Sequence, residues 1–154
     1  MVNSINELSE VSRRLNQKSD KINAVIKGIN EKLDALNFGL EVWLDAEDLA
    51  DNHWQSQPES QNYREKSVIF LGYCAIEGTW QLAVKGGTLT QVWDRGEIET
   101  EELTNVEYKT LLKATRTIRM KALPLIPQLL DLVKAEAEKV INSIDEAGEA
   151  AENL

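Results

Sequence analysis

Apolar residues recur every seven positions along the first quarter of the chain, and this pattern predicts a long helix. One row consists of Leu8, Leu15, Ile22, Ile29 and Leu36. The second row consists of Ile5, Ser12, Ser19, Ile26 and Leu33. A seven-residue repeat is typical of helices that bury a narrow stripe against another helix. The stripe fits either an amphipathic helix lying on its own domain or a helix pair that extends beyond the domain.

The ends of this helix are marked by capping residues. Ser4 and Glu7 fit a capping box, in which each side chain bonds the other residue's free backbone N–H. Asn37 and Gly39 fit the stop, because both residue types tolerate the left-handed conformation. We therefore predict a helical arm over residues 1–38, with a helix about 50 Å long at 1.5 Å per residue.

After Gly39 the pattern changes to the alternation of strands. Residues 40–45 alternate between apolar and polar side chains, whereas residues 46–66 are polar and are predicted to form a long loop. Three further strands are predicted over residues 67–76, 79–85 and 88–94. Glycine-containing pairs, Glu77-Gly78 and Gly86-Gly87, separate them and favour two-residue turns. An antiparallel meander of three to four strands is therefore expected within residues 39–94.

Two-residue turns fix the register of these strands and so divide the sheet into two faces. The predicted core face carries Ile69, Leu71, Tyr73, Ala75, Trp80, Leu82, Val84, Leu89 and Trp93. On the opposite face Gly72, Ala83 and Thr90 form a transverse row of small residues, which predicts a shallow trough. The trough is either a binding groove or part of a solvated or dimer-packed face.

Residues 104–147 are predicted to form a second helical arm. Thr104 and Glu107 fit another capping box, and an apolar stripe follows. Pro124 and Pro127 interrupt the stripe, because proline removes a backbone hydrogen bond and kinks or breaks a helix.

The resulting prediction is a single α+β domain over residues 1–154, with a frayed tail over residues 148–154. The kinked C-terminal helix is expected to pack on one sheet face and on the N-terminal helix. Both arms are longer than a strand of seven residues, which spans about 23 Å. The parts of the arms that extend past the sheet must bury their apolar stripes elsewhere.

Charge and cysteine content narrow the partners and the compartment. The 154 residues carry a formal net charge of −9, and a nucleic-acid backbone attracts lysine and arginine, so no nucleic-acid partner is expected. No apolar run is long enough to span a membrane, and the N-terminus lacks the pattern of a secretory signal. Cys74 is the only cysteine. A cytoplasmic protein with no membrane partner is therefore expected.

Candidate binding residues are few. Lys113, Arg116 and Arg119 fall on one face of the predicted helix, where guanidinium groups are suited to bind an anion. The alternative is that they pair with the acidic segment nearby. Trp43 and Trp54 lie outside the predicted core and are candidate interface residues.

Catalytic chemistry is not indicated. His53 lies in an acidic segment whose spacing does not match a calcium loop, so no metal site is predicted. Cys74 lies among apolar neighbours and is predicted to be a buried, inert thiol. No cofactor and no catalytic residue are predicted.

The leading hypothesis is a non-enzymatic protein-interaction module that forms a homo-oligomer, most simply a homodimer, through its helices. Another protein is a further candidate partner. Leu8, Leu15, Ile22, Trp43 and Trp54 are the predicted interface residues. The alternative is a protein that binds a small anionic ligand with the trough and the basic helix face, that is, with Gly72, Ala83, Thr90, Lys113, Arg116 and Arg119.

Overall fold

The computed structural model describes residues 2–50, 54–56 and 62–154, and it confirms the predicted α+β class. Short 3-10 turns at Leu111–Lys113 and Leu123–Leu125 flank the second helix. The helices and strands are α1 (Val2–Leu36), β1 (Val42–Trp43), β2 (Gln55–Ser56), β3 (Tyr63–Ile76), β4 (Thr79–Asp94), β5 (Glu97–Thr110), α2 (Arg116–Ala122) and α3 (Ile126–Glu152).

The long N-terminal helix is present, with small corrections at its start. α1 begins at Val2, so Ser4 and Glu7 lie inside the helix and the predicted capping box is wrong. Asn37 has a φ of 53° and follows the last helical residue, as the sequence indicated.

The sheet is antiparallel throughout, with the order β1-β3-β4-β5 and with β2 also pairing with β3. Glu77 and Gly78 form the predicted two-residue turn, with φ values of 51° and 81° that suit a mirror-image turn. The register across this turn is confirmed, since Ala75 pairs with Trp80 and Tyr73 pairs with Leu82.

The second predicted turn is wrong. Gly86 and Gly87 lie inside β4, and the chain reverses at Arg95 and Gly96 instead. A Cβ atom on Gly87 would lie 2.8 Å from the carbonyl oxygen of Thr104, so this glycine allows two strands to approach closely.

This correction changes the faces of the sheet. Because β4 is continuous, Leu89 and Trp93 lie opposite the predicted core face. Thr90 pairs with Glu65 and Glu102 and lies on the face of Leu82. The predicted row of Gly72, Ala83 and Thr90 therefore does not exist, although Gly72 does pair with Ala83.

The predicted second helical arm starts too early, because residues 97–110 form β5. Thr104 and Glu107 are strand residues, so their capping box is wrong. Pairing with β4 places Leu103 opposite Leu89 and Tyr108 opposite Lys85, and these cross-strand contacts outweigh the local helical preference.

β5 is an edge strand within the described part of the chain. It is interrupted by two register shifts in its pairing with β4, between Gly86 and Thr88 and between Val92 and Trp93. Its exposed acidic residues are Glu97, Glu99, Glu101, Glu102 and Glu107. Charge and irregular pairing are two ways in which proteins protect an open sheet edge.

The opposite edge, on β3, is covered by β1, by β2 and by residues 44–49. Beyond the β1 pairing, Leu44 N donates to Leu71 O at 2.8 Å and Leu49 N donates to Ile69 O at 2.7 Å. Asp48 Oδ1 also accepts from Ile69 N at 2.9 Å. The predicted loop over residues 46–66 is thus too long, because β2 and the first residues of β3 lie within it.

The C-terminal arm is divided at the two prolines. Thr115 Oγ1 accepts a hydrogen bond from Ile118 N at 3.3 Å and caps α2. Pro124 lies in the following 3-10 turn and Pro127 in the first turn of α3. α3 continues to Glu152, so the predicted helix end at residue 147 and the frayed tail from residue 148 are wrong.

The core lies between the sheet and the helices. Its fully buried members come from every layer and include Ile26 of α1, Leu71 and Tyr73 of β3, Leu82 of β4, and Leu129 and Val133 of α3. Only the C-terminal half of α1 and the first turns of α3 contribute to it. Both helices therefore extend beyond the core that they help to form.

Replacing Gly72 with alanine should destabilise the fold. A Cβ atom there would lie 2.5 Å from Trp43 Cδ2 and 2.6 Å from Val42 O, so β1 must shift. We expect a loss of about 1–3 kcal/mol in the free energy of unfolding, measured by urea denaturation. Gly28→Ala in α1 is the control, because a Cβ atom at that position would have nothing within 4 Å. That change should raise stability by about 1 kcal/mol. A Gly72→Ala protein as stable as the parent would contradict this packing.

Candidate functional site on the helical arms

The apolar stripe of α1 continues past the domain. Ile26 and Leu33 are buried against the sheet and Ile22 is partly buried there. On the same helix face, Leu8 keeps 67% of its surface exposed and Ile5 keeps 65%. We call residues 3–18, all of which are exposed, the α1 overhang. It is about 24 Å long.

α3 shows the same change from buried to exposed along one face. Ile126, Leu129 and Val133 are buried, whereas Val140 and Ile144 are 40% and 64% exposed. Residues 138–152 are all exposed, and we call them the α3 overhang. At about 22 Å it is nearly as long as the α1 overhang.

Three asparagines spaced by seven residues anchor α1 to the domain. Asn16 Oδ1 accepts from Arg116 at 3.4 Å, Asn23 Oδ1 accepts from Arg119, and Asn30 Oδ1 accepts from Leu82 N at 2.9 Å. The pairing of β4 with β5 ends at Ala83, one residue after Leu82. Asn30 therefore accepts a hydrogen bond from a strand N–H that β5 does not pair with.

Sequence reasoning missed these asparagines, although a signal was present. Each directly follows a member of the heptad row, after Leu15, Ile22 and Ile29. A polar residue repeated at the flank of an apolar stripe indicates hydrogen bonds along the border of the buried face.

The predicted anion-binding residues lie in two different environments. Arg116 and Arg119 lie half-buried against α1, where their guanidinium groups donate to Asn16 and Asn23. Lys113 is exposed in the 3-10 turn before α2. The guanidinium groups of both arginines thus donate to acceptors on α1, while their Nε atoms are buried without a hydrogen-bond partner in the described part of the chain.

Of the predicted trough only the pair Gly72 and Ala83 remains, and Trp43 covers it at Gly72. Its ring lies against Gly72 and stands 5.7 Å from the ring of Tyr108. Lys85 Nζ lies 4.7 Å from the centroid of the Trp43 ring and 3.2 Å from Asp45 Oδ1. Ala83 on the floor is fully buried. The space next to Gly72 is therefore occupied by the Trp43 side chain of the same protein.

Trp54, the second candidate interface tryptophan, is half-buried in a similar contact. Arg64 Cζ lies 3.8 Å from the Trp54 ring centroid and 4.5 Å from that of Trp93. The guanidinium also donates to Gln91 Oε1 at 2.6 and 2.8 Å. Cation–π contacts of this kind hold Trp54, just before β2, on the outer face of the sheet.

A small cleft opens between the sheet and α2, with a volume of about 200 Å³. Its lining residues are Ile69, Val84, Gly86, Glu107, Lys109, Ala114, Thr115 and Ile118. The predicted ligand residues do not line this cleft, so it does not unite the trough with the basic helix face.

Cys74 lies in β3 with 3% of its surface exposed. Burial, with a smaller contribution from Glu41, raises the pKa of its thiol above the usual value. A raised pKa disfavours the thiolate, which is the nucleophilic form.

His53, the residue considered above as a possible metal ligand, lies outside the described residues. Within the described ranges, no group of three or more histidine, cysteine, aspartate or glutamate side chains is arranged to hold a metal ion. None of the helices described here combines the length and the apolar character needed to cross a bilayer.

Comparison with known proteins returned no matching family model, curated protein or solved structure.

Replacing Asn23 with alanine should loosen α1. The change leaves a half-buried guanidinium without its acceptor, which costs about 1–3 kcal/mol in the free energy of unfolding measured by urea denaturation. Asn6→Ala is the matched control, because Asn6 is exposed on the opposite helix face and its loss should change stability by less than about 0.5 kcal/mol. Equal effects of the two changes would argue against the asparagine anchors.

Cys74 should resist thiol reagents in the folded protein. Its burial and raised pKa predict little reaction with a chromogenic disulfide reagent at pH 8, and full reaction after unfolding in urea. Stopped-flow absorbance measures both rates. Rapid reaction of the folded protein at the rate of a free thiol would show that β3 is accessible at this position.

Proposed function

We propose that this chain is a non-enzymatic interaction module that self-associates, as a homodimer in the simplest case, through its α1 and α3 overhangs. The observation that carries the proposal is that both apolar stripes continue from the core onto exposed helix. The overhangs carry large apolar side chains at the stripe positions, among them Ile5, Leu8, Leu15, Val140 and Ile144.

Burial of these side chains would be favourable. Each large apolar side chain removed from water contributes roughly 1.5–3 kcal/mol, so a few of them are enough to drive association. Contiguous exposed apolar surface of this kind marks interaction sites in soluble proteins.

The overhangs are also helices with little support of their own. Arg13 Nη2 donates to Glu10 Oε1 at 2.6 Å in α1, and Lys139 Nζ donates to Glu136 Oε1 at 3.0 Å in α3. Exposed pairs of this spacing are screened by water and add little to the stability of a helix. Isolated helices of about 15 residues are marginal in water, and a partner helix would supply the missing packing.

The anionic-ligand alternative has weaker support. Trp43 covers the Gly72 part of its trough, and Arg116 and Arg119 donate to side chains of α1.

An intracellular setting is part of our proposal, since the single cysteine forms no internal disulfide.

Charged substitutions on the stripe should abolish association. We expect the parent protein to have a dimer mass by light scattering, and the double variant Leu8→Glu, Leu15→Glu to have a monomer mass. Both side chains are exposed in the single chain and lie outside the core, so the variant should keep a cooperative thermal transition, while its helical circular dichroism signal falls because the overhangs lose the packing of a partner helix.

The matched control is Asn6→Glu, Gln17→Glu, which adds the same two charges to the opposite, exposed face of α1. It should keep the dimer mass. A parent protein that stays monomeric at every concentration would refute self-association and leave a different protein as the partner of the overhangs.

A further inference from the structure

The cleft between the sheet and α2 has a glycine in its floor. Gly86 of β4 pairs with Ile69 of β3 on one side and with Glu107 of β5 on the other. In the next row Val84 pairs with Lys109. Paired residues point to the same face of a sheet, and so do residues two apart on one strand. Glu107 and Lys109 therefore point to the helix-covered face, on either side of the level at which Gly86 leaves a gap.

Neither the backbone nor the packing requires a glycine at this position. Gly86 is not among the glycines with positive φ. A Cβ atom on it would meet no heavy atom nearer than 3.7 Å, which is an ordinary contact distance. Its neighbour differs, because a Cβ atom on Gly87 would lie 2.8 Å from Thr104 O. The close approach of the strands thus accounts for Gly87 and leaves Gly86 without a structural reason.

A glycine inside a strand has a cost, because it loses more conformational freedom on folding and packs no side chain. Such glycines occur at bulges, at tight bends, or where a ligand or another backbone comes close. The space above Gly86 is the cleft of about 200 Å³. The close approach of a ligand is therefore the use that fits this glycine.

The volume of the cleft limits the size of the ligand. At about 30 Å³ for each water molecule, about 200 Å³ corresponds to about seven waters. Pockets for drug-sized molecules have about 300–1,000 Å³. The cleft therefore suits a smaller molecule, of the size of a single amino acid.

The lining combines aliphatic walls with two opposite charges. Val84, Ala114 and Ile118 supply aliphatic surface, and Glu107 and Lys109 supply the charges from β5. Within the described part of the chain, neither charged side chain forms an ion pair or a side-chain hydrogen bond. Both charges are therefore available to a ligand whose apolar part lies against the walls.

The presence of both charges selects the class of ligand. A simple carboxylic acid would be attracted by Lys109 and repelled by Glu107, and an aliphatic amine would meet the reverse. A zwitterion satisfies both, with its ammonium group at Glu107 and its carboxylate at Lys109. An aliphatic side chain on the same molecule would be buried in the cleft.

We propose that this cleft binds a free α-amino acid with an aliphatic side chain. Every lining residue comes from one chain, so the proposal does not depend on self-association through the overhangs.

Isothermal titration calorimetry with L-leucine tests the site. We expect saturable binding to the parent protein, with one leucine bound by each chain. Isocaproic acid is leucine without the ammonium group, and isoamylamine is leucine without the carboxylate. Each should bind about tenfold more weakly than leucine, because one charged contact is lost and one charge is opposed. Glycine, which lacks the aliphatic side chain, should give no measurable heat.

Two kinds of variant locate the binding. Gly86→Val should abolish leucine binding, because its side chain would occupy the cleft, while urea denaturation should show a protein about as stable as the parent. Glu107→Gln and Lys109→Met change only exposed side chains, so they report on binding even if the valine variant does not fold. Both should weaken leucine binding several-fold. Glu107→Gln should also bind isocaproic acid more tightly than the parent does.

The control is Glu99→Gln, which removes the same charge from β5 at a residue outside the cleft and should leave leucine binding unchanged. The proposal is overturned if the parent binds none of leucine, isoleucine, valine and methionine at millimolar concentration. It is also overturned if a folded Gly86→Val protein binds leucine as tightly as the parent does. Equal affinity for isocaproic acid and leucine would assign the cleft to simple acids and overturn the amino-acid specificity.

Discussion

The attachment of α1 to the sheet is the contact on which the rest of the molecule depends. Ile26 and Leu33 are buried in the core, and Asn30 accepts a hydrogen bond from Leu82 N, which β5 leaves unpaired. Because a helix is rigid over this length, fixing residues 16–33 also fixes the direction in which the remaining turns project. The domain thus positions its exposed α1 residues with the same stripe that stabilises it.

The local patterns that succeeded were those with one physical meaning. A seven-residue apolar repeat indicates a one-sided helix, and Glu77-Gly78 between two alternating segments fits a mirror-image turn and little else. The turn prediction at Gly86-Gly87 was wrong because glycine is used both in turns and where two strands approach closely. Only the position of Thr104 O distinguishes the two cases. Thr104 and Glu107 match a capping box and a strand equally well, so pairing with β4 decided that case.

The candidate site was predictable only in part. The stripe residues Leu8 and Leu15 could be placed on an overhang from helix length alone. The facing of Arg116 and Arg119 toward one side was also visible, but their acceptors lie on α1, about a hundred residues earlier in the chain. Contacts between distant segments of this kind depend on tertiary packing. The filled trough is another example, since Trp43 belongs to a strand that pairs with the far edge of the meander.

The open side of β5 has a consequence for the protein's behaviour at high concentration. Within the described part of the chain, one edge of this 14-residue strand has no neighbouring strand, and such an edge is a template onto which another chain could add by backbone hydrogen bonding. Its glutamates repel a second copy of the same strand. Substitutions that remove these negative charges would remove this barrier, so the colloidal stability of the protein depends on the charge carried by a single strand.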